Sequence, residues 1–171
     1  MSDRKLRCMV TAAVMAALTF AATMVIRIPA PTGGYVHPGD ALVLLCGWLL
    51  GPWWGGAAAG IGSMLVDLLS GYGTFVPGTL VIKFLVAMVA ALVVKALRYK
   101  HYGYVISAVV GEVIMVGGYF AYEALVLRLG IGAAAGVVAN VVQGVTGVAI
   151  GLALLGLLKT GKVLDKLAIR W

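Results

Sequence analysis

The stretch ALVLLCGWLLGPWWGGAAAGIGSMLVDLLSGY, residues 41–72, decides the fold. It is apolar almost throughout, with Asp67 as its one charge. A straight crossing of a bilayer needs about 20 residues, so this run is too long for one. Gly51-Pro52-Trp53-Trp54 interrupts it. Proline removes a helix hydrogen bond and glycine accepts turn conformations, so one helix ends and another starts there. The expectation is two helices, Ala41–Leu50 and Gly55–Ser70. The first, at about 1.5 Å per residue, covers about half a bilayer unless it starts within residues 29–40.

Four further apolar runs flank this pair: Met9–Ile28, Pro77–Leu97, Tyr104–Leu127 and Ala134–Leu158. The 171-residue chain is 63% hydrophobic and 11% charged, with a mean hydropathy of +1.07. A soluble domain could not hide so much apolar surface. The reading is an all-α membrane protein, one domain over residues 1–171, built as a compact bundle of six transmembrane helices.

The net charge of +7 does not point to nucleic acid, because the basic residues form no patch with interleaved aromatics. They stand at the ends of apolar runs instead. Arg4, Lys5 and Arg7 share one side with Lys95, Arg98 and Lys100, and with Lys159, Lys162, Lys166 and Arg170; only Arg27 and Arg128 fall on the other. The positive-inside rule then makes both termini cytoplasmic, in a multi-pass protein of a bacterial plasma membrane. The N-terminus resembles a signal peptide, but its apolar run, Met9–Ile26, is longer than the usual core, so a retained helix is expected. Gly161–Trp171 reads as a basic, partly amphipathic end lying on the inner surface. Cys8 and Cys46 lie at different expected depths and read as small packing residues, not a disulfide.

Several motifs are excluded. Gly156–Val163 resembles a phosphate-binding loop, but Val163 stands where Ser or Thr should be and an apolar helix, not a strand, precedes it. Gly60-Ile61-Gly62 lacks the third glycine of a dinucleotide fingerprint. His37 with Asp40 gives too few ligands for a metal, and no nucleophile stands beside a base and its orienting group. No enzyme activity, cofactor or metal is expected. Asp40 reads as the cap of the second helix. Small residues spaced by four, Gly56 with Gly60 and Gly147 with Gly151, suit close helix packing. Ala12 with Ala16, and Ala13 with Ala17, suit either packing or an external docking face.

Charged groups at membrane depth cost about 2.5–3.5 kcal/mol on insertion scales and need a partner or a task. Asp67, Lys83, Glu112 and Glu123 are such groups, joined by Asn140 and Gln143. Counted from the outer helix ends, Asp67 lies about 7 Å down and Lys83 about 9 Å, so the two match as a pair. Asn140 and Gln143 share a helix stripe with Gly144, Gly147 and Gly151; Glu112, Tyr119 and Glu123 share another. These groups gather in the outer half, beneath the irregular segment PAPTGGYVHPGD, residues 29–40. That describes either an outward-opening pocket or a set of interhelical hydrogen bonds with one ion pair. Lys83 is expected to serve ligand binding more than folding. Tyr35 and His37 are candidates to stack on a flat ligand, with the proline- and glycine-shaped segment as a lid.

Five ordered blocks carry a resemblance: IPAPTGGYVHPGDALVLLCGWLLGP, GIGSMLVDLLSGY, PGTLVIKF, GEVIMVGGYFAYEAL and NVVQGVTG. Together they resemble the substrate-binding S components of energy-coupling factor (ECF) vitamin transporters, nearest the riboflavin-type or unspecified branch. The resemblance implies a six-helix protein that captures a vitamin or precursor from outside, with the first loop over the ligand. The riboflavin, pyridoxine and thiamine-pyrimidine classes all fit. It implies a transmembrane coupling subunit and two ATPase subunits as partners; a stand-alone facilitator is the alternative. It carries Tyr35, His37, Lys83, Glu112, Tyr119, Asn140 and Gln143 across as the pocket, with Asp67 in the ion pair or the pocket. Ala12 with Ala16, or Ala13 with Ala17, becomes the docking motif. Phe84 departs from the family, which often has glycine after the lysine.

Overall fold

The computed structural model describes residues 3–161; the expected C-terminal amphipathic end lies outside them, apart from Gly161. Among the described residues, five helices are long and apolar enough to cross a membrane. Helix α1 spans Asp3–Val25, α2 Asp40–Leu69, α3 Val76–Ala96, α4 His101–Ala121 and α5 Ala134–Thr160. Between α1 and α2, strand β1 (Ile28–Pro29) pairs antiparallel with β2 (Tyr35–Val36). The segment expected to be irregular is therefore a small hairpin, turned at Gly33, whose φ of +86° suits glycine. A π turn, Tyr122–Val126, continues α4, and a 3-10 turn, Gly130–Ala133, leads into α5.

Helix α2 doubles back on itself. Gly51 leaves the helical region, at φ 82° and ψ −174°, and Pro52 follows. A Cβ on Gly55 would stand 2.4 Å from the Cys46 carbonyl oxygen, so the two arms meet backbone to backbone. The first arm, residues 40–50, is almost wholly buried. An arm apolar all round belongs in a bundle's centre, and here the other helices surround it.

Missing side chains make that crowding possible. A Cβ on Gly47 would lie 2.2 Å from the Ala87 oxygen of α3, and one on Gly62 would lie 2.5 Å from the Ala16 oxygen of α1. Gly56 and Gly60 receive Phe84 and Leu80 of α3, while Gly147 and Gly151 of α5 receive Asp40 and Ala41. Phe84, the departure noted above, thus packs on Gly56 and stands 6.3 Å, ring to ring, from Trp53. Trp48 Nε1 donates to Ser107 Oγ at 2.9 Å and ties the central arm to α4. Valines and leucines of α1, α4 and α5 face outward, as lipid contact requires.

Candidate functional site

At the hairpin end of the bundle, buried polar side chains fall into two layers. The deeper layer centres on Asp40, the first residue of α2. Asp40 and Lys83 of α3 form an ion pair, and neither side chain has any exposed surface. The other Asp40 oxygen accepts from Gln143 Nε2 of α5 at 2.8 Å. Gln143 Oε1 accepts the backbone N–H of His37 at 2.9 Å. One glutamine therefore joins α5, the buried pair and the hairpin.

Two expectations are corrected here. Lys83 pairs with Asp40, not with Asp67. Asp40 also does not cap α2: Gly39 occupies that position, without a side-chain hydrogen bond. The short central arm starts deep in the bundle, so Asp40 enters at the depth of Lys83 and its carboxylate turns toward the cation.

The upper layer encloses a cavity. Tyr35, His37, Asp67, Tyr119, Asn140 and Gln143 line it, together with Ser63, Phe75, Thr79 and Glu123 and with Ala30 and Gly34 of the hairpin. Tyr35 OH donates to Asp67 Oδ1 at 2.5 Å. The Tyr35 ring lies 4.7 Å from that of Tyr72 and 5.5 Å from that of His37. Thr32 Oγ1, in the hairpin turn, donates to Glu123 Oε1 at 3.0 Å. Tyr119 OH and Thr79 Oγ1 share a hydrogen bond of 3.0 Å. Lys83 lies outside the lining, with its Nζ 5.3 Å from the Tyr119 ring centre.

His37, just after β2, is buried. Its Nδ1 accepts from the Gly39 N–H at 3.1 Å. Burial, and then the charge of Lys83, pull its pKa down to about 3 against the opposing pull of Asp40, so the ring is neutral. The cavity as closed measures about 20 Å³, room for about one water molecule. Sites for vitamin-sized solutes run to about 300–1,000 Å³, so such a solute needs the cavity to widen.

Glu112 stands apart from this cavity. It is buried against Gly144 and Gly147, in the deeper layer near Asp40, and neither carboxyl oxygen has a hydrogen-bond partner among the described residues. With Val109, Val113 and Val145 it lines a separate, largely apolar groove between α4 and α5. Of the residues expected in one pocket, the structure thus brings together Tyr35, His37, Tyr119, Asn140 and Gln143, with Asp67. Lys83 and Glu112 lie outside the lining. Sequence reasoning passed over Thr32, Ser63 and Thr79; lone hydroxyls in apolar runs, as Ser63 and Thr79 are, carry no spacing signal, and neither does one threonine in an irregular loop.

On helix α1 the two alanine pairs separate. Ala12 is buried, and Ala16 lies against Gly62 of α2; Ala13 and Ala17 are exposed.

Comparison with known proteins agrees with this architecture. A family model described as "ECF-type riboflavin transporter, S component" matches residues 4–160. A Pyrococcus woesei protein described as "Uncharacterized protein in gap 3'region" is 37% identical over 131 residues, covering 75% of this chain and 86% of its own. A solved structure, reported as "Structure and mechanism of the S component of a bacterial ECF transporter", superposes with a TM-score of 0.68 at 17% identity. That match covers 91% of this chain and 97% of the other, and at that identity it speaks for the fold alone.

Proposed function

The chain belongs to the ECF-type riboflavin transporter S component family, and on that premise we propose that it captures a small water-soluble vitamin or vitamin precursor for uptake. The riboflavin, pyridoxine and thiamine-pyrimidine classes are the solutes proposed. One observation carries the reading: polar side chains from the hairpin, α2, α3, α4 and α5 converge on one cavity beneath a hairpin that can cover it. Tyr35, His37, Asp67, Tyr119, Asn140 and Gln143 are the proposed contacts. Lys83 and Glu112 are proposed to act from the layer below, holding Asp40, Gln143 and α5 in place. Counting the two arms of α2 separately gives the proposed six-helix bundle, with the hairpin outside and both termini in the cytoplasm of the plasma membrane.

The test is titration calorimetry of the detergent-purified protein with riboflavin, pyridoxine and 4-amino-5-hydroxymethyl-2-methylpyrimidine. One of these should bind, and Tyr35→Ala and His37→Ala should each weaken it at least tenfold. Unchanged affinity in both variants would remove the hairpin from the site.

The partners proposed are a transmembrane coupling subunit and two ATPase subunits. Exposure favours Ala13 and Ala17 as the docking pair, since small residues let a partner helix approach closely. Ala13→Trp with Ala17→Trp should abolish co-purification with the coupling module and leave vitamin affinity within about twofold, because neither residue touches the cavity. Retained co-purification, or transport that proceeds without any module, would count against this assignment.

A further inference from the structure

We propose, resting on the reading above, that the cavity selects an uncharged or cationic solute presenting N–H or O–H donors on two sides, and rejects phosphorylated forms of the same vitamin. Two carboxyl groups line the cavity, Asp67 and Glu123, and each residue is 3% exposed. Each has one oxygen engaged by the hairpin: Asp67 Oδ1 accepts from Tyr35, and Glu123 Oε1 accepts from Thr32. The second oxygens, Asp67 Oδ2 and Glu123 Oε2, find no hydrogen-bond partner among the described residues. Ser63 Oγ, also in the lining, is likewise without one.

The two acids stand on different walls. Asp67 belongs to the second arm of α2, and Glu123 to the π turn after α4, where a Cβ on Gly136 would lie 3.0 Å from its Oε2. Among the described residues, no cation lines the cavity to balance them. Lys83 is held by Asp40 beneath it, and His37 is neutral. A buried acceptor without a donor is costly, and a solute with donors on both flanks relieves two of them at once. A phosphate would instead meet two carboxyl groups and no cation in the lining; the nearby Arg27 lies over the Tyr35 ring, 5.8 Å from its centre, and does not line the cavity. Because Tyr35 and Thr32 bind the same two acids, hairpin closure and solute recognition use one pair of carboxyl groups.

The experiment is titration calorimetry with matched pairs: riboflavin against flavin mononucleotide, pyridoxine against its 5′-phosphate, and 4-amino-5-hydroxymethyl-2-methylpyrimidine against its phosphate. In the pair that binds, the unphosphorylated member should bind at least 100-fold more tightly. Asp67→Asn and Glu123→Gln should each weaken it at least tenfold, and together should shrink the discrimination to under tenfold, with the thermal midpoint confirming a folded protein. A phosphate that binds equally well overturns the selectivity while leaving vitamin capture standing. Discrimination that survives the double variant assigns the rejection to size and also overturns the proposal. If no member of any pair binds the folded protein, vitamin capture itself falls, and this inference with it.

Discussion

Replacing Lys83 with methionine is expected to lower the thermal midpoint of the detergent-purified protein by on the order of 10 °C. The side chain is wholly buried, and its partner Asp40 is equally enclosed. Removing one member of a buried pair costs about 3–5 kcal/mol, because the other charge remains without compensation. For a chain of this size each kcal/mol moves the midpoint by about 2–4 °C. Gln143 still donates to Asp40, but a neutral amide does not replace a cation. The companion variant separates charge from packing: Lys83→Met combined with Asp40→Leu should recover most of the loss, since apolar replacement of a whole buried pair is often neutral. Recovery should stop short of complete, because Gln143 Nε2 then loses its acceptor. Vitamin affinity in the folded fraction should change less than in Tyr35→Ala, because Lys83 does not line the cavity. The order expected from sequence is the opposite, with Lys83 serving the ligand first, and the two readouts together decide between them. A thermal midpoint unchanged in Lys83→Met would sink this account of the pair.

Joining the hairpin to α5 with a disulfide is expected to block solute access almost completely. A Cβ on Gly136 would lie 3.0 Å from Thr32 Oγ1, where a cysteine sulfur would sit. That is close to the distance from one Cβ to the far sulfur in an unstrained disulfide, about 3 Å, given S–S near 2.05 Å. The native Cys8 and Cys46 are free and buried, so they compete little. In the oxidised Thr32→Cys/Gly136→Cys protein, the association rate of the bound vitamin should fall at least 100-fold, and dithiothreitol should restore it. Thr32→Cys alone removes the hydrogen bond to Glu123 and serves as the control for that loss. The size of the effect follows from the closed cavity, which has room for about one water molecule. Undiminished binding to the oxidised protein, with the bond confirmed by mass spectrometry, would show that the hairpin is not the gate.

Much of this architecture was readable along the chain. The break at Gly51-Pro52 lies where the structure turns α2 back, because a glycine at positive φ followed by proline leaves a helix little choice. The two ends of α3 fall within one residue of the expected ones. Helix α1 ends three residues earlier than expected, because Ile28 is drawn into the hairpin opposite Val36. The stripe of Asn140 and Gln143 with its glycines faces inward, as a 3.6-residue period requires.

Apolar length and charge placement by themselves determined a membrane bundle, its breaks, and which polar side chains needed an explanation, since those properties are local to each run. Tertiary structure alone chose their partners. Depth counted along the helices matched Lys83 to Asp67 and left Asp40 as a cap, because such a count cannot tell how deep in the bundle the short arm starts. The short central arm settled it by starting deep within the bundle and bringing Asp40 with it. The same step left Asp67 to Tyr35 and the cavity. Pairing of buried charges depends on side-chain direction across helices remote in sequence, and only the packed bundle fixes that direction.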